Sequence, residues 1–250
     1  MSLRRNLPVL GRFLVLALLM VAVPACKKPV DPAPHMKKGI PGPDAPGVSF
    51  FPLMVLEFDK EIDGSTINAN IEIWTTDAFG VPNAKWGGSW IFHHLVNSFQ
   101  IVIENTQTFI ASTEYAVVVF NGLLSSKGDP INGGMALRFT TASSGNSTKP
   151  SFSVPAQNVG AGTAGQVVLT WTQATEGGPI SANYEFYEAT TTDSEDFFDN
   201  PPFFSSSQTS GDTIPASKGL VTGTTHFFRV ICRDSQGNIR VTAELSVVVD

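Results

Sequence analysis

From Val48 onward, hydrophobic positions occur in short runs that are separated by turn-forming residues. Val, Ile, Phe and Thr dominate the runs, and Gly, Asn, Asp and Pro stand between them. This texture is typical of half-buried β-strands, and no amphipathic helix of convincing length is present. Many short strands at this spacing predict an all-β fold built from two β-sandwiches in tandem. The clearest predicted strands are Ile71 to Trp74, Phe99 to Glu104, Tyr115 to Phe120, Ala136 to Thr140, Val167 to Trp171, Tyr184 to Glu188, His226 to Cys232 and Leu245 to Val249.

The alternation is clear between Leu56 and Asp63. Leu56, Phe58 and Ile62 have the same parity, and four carboxylates, Glu57, Asp59, Glu61 and Asp63, have the opposite parity. Because successive strand side chains point to opposite faces, the sequence predicts one apolar and one acidic face here.

Residues 1–25 have the pattern of a bacterial export signal. Arginines precede a short apolar run from Phe13 to Val23, and small residues follow it. The run is shorter than the roughly 20 residues of a membrane-spanning helix, so a signal peptide is predicted. The Cys26 that follows resembles the lipidation site of bacterial lipoproteins. That resemblance implies acylation of Cys26 with fatty acids such as palmitate, and Lys27 after it implies an outer-membrane destination.

Composition divides the remainder of the chain. Residues 26–47 contain six prolines and three glycines with almost no large apolar side chains, which predicts a semi-extended tether. A Ser-, Gly- and Asn-bearing break at 143–149 predicts a linker. The predicted domains are therefore 48–142 and 150–250.

The first predicted domain carries an ordered set of short motifs. Ser65-Thr66-Ile67-Asn68 is followed by Thr113-Glu114-Tyr115-Ala116-Val117, by a turn at Lys127-Gly128-Asp129, and by a closing Phe139-Thr140-Thr141. This order resembles the bacterial Ig-like domain of surface-layer and other exported proteins. The resemblance implies an Ig-like β-sandwich.

The second predicted domain places Trp171 on an early strand, a run from Leu220 to Val230 later, and then a turn from Asp234 to Asn238. This series resembles a fibronectin type III domain. His226 stands where that family has a Tyr whose hydroxyl bonds to the preceding backbone, so a similar structural bond from the imidazole is expected. We expect Gly237 and Asn238 to supply the positive-φ positions of the turn.

Aromatic side chains are the first candidates for ligand binding. Trp86, beside two glycines, and Trp90 can form a stacking platform for a sugar or peptide, with core packing as the competing interpretation. His93 and His94 point to opposite faces of a regular strand, which argues against a joint metal site. A long connection from Thr190 to Pro215 carries four phenylalanines that form either an exposed patch for a partner or a cluster on the sheet. They are Phe197, Phe198, Phe203 and Phe204.

The same connection contains weak calcium candidates, which lack the spacing of an EF-hand loop, so no metal site is predicted. They are Asp193, Glu195, Asp196 and Asp199. Residues 48–250 hold 9 Lys or Arg and 20 Asp or Glu, a net charge of −11. Such a surface repels phosphates, so no nucleic-acid partner is expected. Cys232 lies in an apolar strand pattern and is predicted to be a buried core thiol.

No recognisable catalytic or cofactor motif occurs, and the chain has four histidines. The sequence therefore predicts a protein that is not an enzyme and needs no cofactor. We expect an envelope lipoprotein, attached to the membrane through its N-terminal lipid, that serves binding, adhesion or assembly through loops and strand edges. Its partner would be an envelope or extracellular protein or a glycan. The alternatives are a carbohydrate-binding accessory lipoprotein and a passive structural spacer.

Overall fold

A computed structural model describes residues 33–94, 99–189 and 201–250. These residues are almost entirely strands and loops, which confirms the predicted all-β fold class. The strands of the first half are β1 (Met36–Ile40), β2 (Ala45–Val48), β3 (Met54–Phe58), β4 (Ile71–Thr76), β5 (Pro82–Lys85), β6 (Trp90–His94), β7 (Gln100–Asn105), β8 (Glu114–Val119) and β9 (Gly134–Thr141). Those of the second half are β10 (Ala156–Gln157), β11 (Val167–Thr170), β12 (Ala182–Ala189), β13 (Phe204–Ser206), β14 (Gly211–Ile214), β15 (Thr225–Asp234), β16 (Ile239–Val241) and β17 (Leu245–Val248). In these three ranges, helical turns are confined to two 3₁₀ segments, Gly64–Thr66 and Ala216–Lys218, and one short helix, α1 (Ile67–Asn70).

The first sandwich consists of a four-stranded sheet with the order β1-β3-β7-β6 and a five-stranded sheet with the order β2-β9-β8-β4-β5. All pairings are antiparallel except that between β2 and β9. Alternate residues of facing strands fill one apolar core, in which Leu56, Phe58, Ile73 and Phe139 are buried. The predicted parity of Leu56, Phe58 and Ile62 is therefore confirmed, since all three lie in this core.

The predicted tether overlaps the first sandwich. Residues 26–47 were expected to form an extended segment outside the fold, but Met36–Ile40 pairs with β3 and Ala45–Val48 runs parallel to β9. Most side chains of these two strands are exposed or half-buried. Backbone pairing attaches them, together with only three partly buried apolar side chains, Ile40, Ala45 and Val48. Composition alone therefore did not indicate strands.

The second sandwich packs a three-stranded sheet with the order β10-β11-β14 against a five-stranded sheet. In the larger sheet β13, β12, β15 and β16 are neighbours in that order, and β17 pairs with β15. Leu169 and Trp171 contribute to the core from one side, and Tyr184 and Phe228 contribute from the other. Leu169 and Trp171 share the predicted face.

A third apolar cluster lies between the two sandwiches. Leu53, just before β3, and Val55 of β3 have side chains on the face opposite the first core, and Val102 of β7 packs with them. Tyr187 of β12 and Ile231 of β15 meet them from the second sandwich, on the side opposite the second core. Further members are Ile239 and Val241, with Ile40 and Phe227 partly buried against them. Residues 33–250 accordingly form one compact unit.

Candidate functional site: the junction between the sandwiches

The turn between β15 and β16 docks onto the segment that leads into β3. Asp234 shapes this turn because one carboxylate oxygen accepts hydrogen bonds from the backbone N–H groups of Gln236 and Asn238, both at 2.8 Å. Gly237 has a φ of 84°, which is the left-handed conformation expected from the sequence. Asn238 is not among the positive-φ residues, so that part of the prediction is wrong.

Asn238 instead acts through its side chain. Its Oδ1 accepts the backbone N–H of Phe51 at 3.0 Å, and its Nδ2 donates to Asp234 at 2.8 Å and to the carbonyl of Asn146 at 3.2 Å. One buried amide therefore connects the first sandwich, the linker and the second sandwich. Such fully paired buried amides hold the groups around them in one arrangement.

Backbone and hydroxyl hydrogen bonds extend this connection. The N–H of Ile239 donates to the carbonyl of Phe51 at 2.8 Å, and the Ser49 hydroxyl donates to the carbonyl of Gly237 at 2.8 Å. The turn thus pairs with residues 49–51 much as two short strands pair. The orientation of one sandwich against the other is fixed by directional bonds as well as by apolar contact.

A buried group of charges lies at the same junction. Glu104, at the end of β7, is 2% exposed, and its Oε2 lies 2.6 Å from Nε2 of His93. Lys149 of the linker forms an ion pair with Oε1, and Arg240 of β16 lies 3.6 Å from the same oxygen. Glu104 therefore interacts with a residue of the neighbouring strand β6, with one of the linker and with one of the second sandwich.

Lys149 has two further contacts. Its ammonium group donates to the carbonyl of Asn105 at 3.0 Å and lies 5.7 Å from the centre of the Phe51 ring. Burial lowers the pKa of Lys149, and Arg240 lowers it further, while Glu104 acts in the opposite direction. Burial alone would raise the pKa of Glu104, but the His93 hydrogen bond and the Lys149 charge outweigh it and leave that pKa below its usual range. Glu104 is therefore held ionised by the cations around it.

A second carboxyl pair borders the linker. Burial raises the pKa of Glu176 to about 7, and the neighbouring Asp234 carboxyl raises it in the same direction. The Asn146 side-chain amide donates to Glu176, which partly offsets these effects. Two carboxyl groups that approach each other favour a shared proton over two negative charges.

The predicted aromatic platform is not formed. Trp86 is 8% exposed and belongs to the core of the first sandwich, where its ring lies 4.6 Å from Phe109 and 6.0 Å from Trp90. Trp90 is partly buried against the same core. A Cβ at Gly88 would lie 2.2 Å from the Trp86 ring, so the glycine leaves the space into which the indole folds. Gly88 therefore serves the burial of Trp86 and not its display.

The remaining predicted site residues fall into two groups. Phe203 and Phe204 pack against the second core, with ring centres 6.0 Å from Phe228 and 5.7 Å from Phe186. This places them in a cluster on the sheet and not in an exposed patch. The others lie outside the described residues: Cys26, Phe197, Phe198 and the weak calcium candidates Asp193, Glu195, Asp196 and Asp199. Within the described ranges, no three His, Cys, Asp or Glu side chains are grouped to hold a metal ion.

His226 does not make the bond expected of a corner residue. Its Nδ1 lies 2.7 Å from Glu188 and its Nε2 lies 3.0 Å from the Thr224 hydroxyl, so it connects side chains and not the preceding backbone. The corner-like bond occurs elsewhere. The hydroxyl of Tyr184 accepts the backbone N–H of Ala174, and the hydroxyl of Tyr115 accepts that of Ile110, each at 2.9 Å.

Cys232 is fully buried in the second core, as the sequence predicted. Burial raises the pKa of its thiol to about 12, and the negative charges of Asp234, Glu176 and Glu185 act in the same direction. A thiol with so little thiolate at neutral pH is unreactive, so Cys232 behaves as a small apolar side chain.

One exposed feature was missed by the sequence analysis. Phe79, at the tip of the β4–β5 hairpin, is 88% exposed, and Val81 beside it is also exposed. The Asp77 carboxylate accepts the backbone N–H groups of both residues, at 2.9 and 3.0 Å. Gly80 has a φ of 74°, the left-handed conformation that favours glycine, and a Cβ there would also displace the Arg138 guanidinium. The aromatic ring is therefore displayed on a fixed turn.

Comparison with known proteins agrees with the first half of this architecture. Residues 30–141 match the family described as bacterial Ig-like domain. Its lower bound includes β1 and β2, in agreement with the structure. Comparison with curated protein sequences gives no match. The fold and the match together define an all-β protein whose residues 30–141 are similar to a bacterial Ig-like domain.

Solved structures show more distant likeness. The chain is similar to domains 1–6 of surface layer protein SbsC, with a TM-score of 0.36 and 13% identity, covering 87% of this chain and 26% of that one. For the N-terminal part of the bacterial S-layer protein SbsC, the TM-score is 0.35 and the identity 16%, and the likeness covers 87% of this chain and 44% of that one. For the FN1–FN3 domains of chicken CNTN1, the TM-score is 0.31 and the identity 10%, and the likeness covers 86% of this chain and 64% of that one. The chain thus spans less than half of the S-layer structures, and these scores carry no argument about function.

In the part of the chain that the structure covers, none of the helices has the length and apolar character needed to cross a membrane.

Proposed function

We propose that this protein is a non-catalytic, envelope-anchored module whose two sandwiches act as one rigid body in adhesion or assembly. The observation that supports it is the junction, where a buried amide, a buried carboxylate in contact with His93, Lys149 and Arg240, and an apolar cluster connect the two sandwiches. A flexible pair of domains would need none of these contacts. A rigid pair holds its loops and hairpins at fixed separations.

Attachment through a lipid on Cys26 completes the proposal. The lipid anchors the chain to the membrane, and the rigid body displays hairpins such as that of Phe79. An exposed aromatic ring on a fixed turn offers a large apolar area that a protein partner can bury. The envelope location, the outer-membrane destination and the identity of the partner belong to this proposal.

Two experiments in intact cells test it. Membrane fractionation should place the wild-type chain with the membranes and a Cys26→Ser variant in the soluble fraction. A Cys26→Ser variant that still sediments with membranes would contradict the lipid anchor. Mass analysis of the mature N-terminus should show fatty acyl groups on Cys26.

The partner is tested by photocrosslinking from the hairpin. A photoreactive phenylalanine analogue at Phe79 should give a defined protein adduct in cells. The same analogue at Val159, an exposed apolar residue of the second sandwich, is the matched control and should give none. Equal labelling from both positions, or no adduct from Phe79, would argue against a contact at this hairpin and favour the passive spacer.

A further inference from the structure

A cleft of about 310 Å³ opens where the linker passes between the two sandwiches. We infer that this cleft binds one or two rings of a neutral oligosaccharide, a ligand that the proposed function does not require. Its volume lies at the lower end of the range for ligand pockets, roughly 300–1,000 Å³. The residues that line it are Ser49, Phe50, Ala142, Ser144, Gly145, Asn146, Gln236 and Asn238.

The walls of the cleft are fixed before any ligand arrives. Phe50 is buried, and its carbonyl accepts the side-chain amide of Asn105 at 2.8 Å. Ala142 donates its backbone N–H to Val48 at 2.8 Å, and Asn238 is held by the bonds of the junction. Because little ordering remains to be done on binding, even a small ligand keeps most of its interaction energy.

Hydrogen-bonding groups in the cleft remain available. Gln236 is exposed and uses Oε1 to accept the backbone N–H of Asn146, so its Nε2 is not needed for that bond. Ser144 is exposed, and among the described residues neither its hydroxyl nor the Gln236 Nε2 has a protein partner. An amide donor and a hydroxyl that can donate or accept are the groups that recognise sugar hydroxyls.

Apolar surface and charge define the class of ligand further. The Phe50 ring and the Ala142 methyl group offer a small apolar floor suited to the C–H face of a sugar. Among the described residues, no Lys, Arg, Asp or Glu lines the cleft, whereas residues 48–250 carry a net charge of −11. An anionic saccharide would meet repulsion without a cation to offset it, so a neutral one is favoured.

Titration of the mature full chain with chitotriose, followed by ¹H–¹⁵N NMR, tests this inference. Galacturonic acid trimer serves as the anionic comparison. Shifts should be confined to the residues of the cleft and should saturate below about 20 mM chitotriose, a weak but measurable affinity. The uronate trimer should give no saturable shift in the same residues.

Substitution at Gly145 provides the matched test. A Cβ there would lie 3.0 Å from Gln236 Oε1 and 3.5 Å from the Phe50 ring, so Gly145→Leu fills the cleft. Gly87→Leu places the same side chain at an exposed glycine with nothing within 4 Å. Gly145→Leu should weaken chitotriose binding at least tenfold, and Gly87→Leu should leave it unchanged.

A third variant tests the cleft in case Gly145→Leu loses binding only because it misfolds. Gln236→Ala removes the free amide and should also weaken binding, by roughly three- to tenfold, a loss typical of one hydrogen bond. No shifts with chitotriose in a folded wild-type chain, or shifts that persist in both Gly145→Leu and Gln236→Ala, would overturn the inference. Equal binding of the uronate trimer would overturn the assignment to a neutral ligand. None of these outcomes bears on the lipid anchor or on the Phe79 contact, which are tested separately.

Discussion

Replacing Lys149 by Met tests whether the buried charges join the two sandwiches. The Lys149 side chain is 13% exposed and the Glu104 side chain is 2% exposed. A matched surface pair exists in the first sandwich, where Lys85 lies 2.6 Å from Glu72 with its own side chain 53% exposed. Both pairs are in close contact, and both variants exchange the ammonium for a methyl thioether, so burial is the main difference.

The expected magnitudes follow from that difference. Removal of one partner from a buried ion pair costs about 3–5 kcal/mol, because the remaining charge stays buried. His93 and Arg240 remain near Glu104 at 2.6 and 3.6 Å and offset part of that cost. We therefore expect Lys149→Met to lower the free energy of unfolding by about 2–3 kcal/mol. Lys85→Met should lower it by no more than about 1 kcal/mol.

Urea denaturation of both variants measures these values. A two-state fit gives the free energy of unfolding and its slope with urea. If the junction is weakened, Lys149→Met should also lower the slope or separate the transition into two, because the sandwiches then unfold independently. Equal destabilisation by the two variants, with unchanged slopes, would refute a special role for the buried charges.

Three further predictions concern single positions. Glu176→Gln should stabilise the fold at pH 8 but not at pH 5. The pKa of the Glu176 carboxyl is about 7 in the folded state, against an ordinary value of 4.5, so its protonated form favours folding. That contribution is complete below pH 4.5 and is lost as the pH rises through 7. After allowance for partial exposure the loss is about 1–2 kcal/mol, and a pH series of urea midpoints that is parallel for both proteins would contradict it. Tyr115→Phe should cost about 1–2 kcal/mol in thermal or urea unfolding because the N–H of Ile110 loses its acceptor, and a cost near zero would contradict this. Gly88→Ala should cost about 1–3 kcal/mol through displacement of Trp86, whereas Gly87→Ala, with open space around it, should be neutral or slightly stabilising; similar values for the two would contradict the packing argument.

The fold class and most strands were predictable because their apolar residues alternate or cluster in ways that only strands explain. Leu56 and Phe58 show this alternation, and both are buried in the first core. The strands β1 and β2 were not predictable from composition, since their attachment depends on backbone pairing and their side chains remain largely outside the core.

The junction was not predicted, although the sequence contains a signal for it. The run Leu53-Met54-Val55-Leu56 has apolar residues at consecutive positions, and Val230-Ile231-Cys232 has the same property. Consecutive apolar residues indicate a strand that is buried on both faces. In each case one face fills a sandwich core and the other meets the opposite sandwich.

The candidate sites were less predictable than the fold. Glycines beside Trp86 suggested display of the ring, but the sequence does not show on which side of the chain the ring lies. The Glu104 group and the cleft combine residues from β6, β7, the linker, and the β15–β16 region. Such convergence depends on the packing of the sandwiches, which local patterns do not encode.

The central claim is that the two sandwiches form one rigid body, and a distance measurement between them tests it most directly. Spin labels on Asn83→Cys and Thr209→Cys, both at exposed positions, report the separation by double electron–electron resonance. Cys26 is replaced by Ser, and the native Cys232 stays unlabelled because it is fully buried. A single narrow distance distribution that broadens in Lys149→Met is predicted. A broad or multiple distribution in the otherwise wild-type chain would contradict the rigid junction.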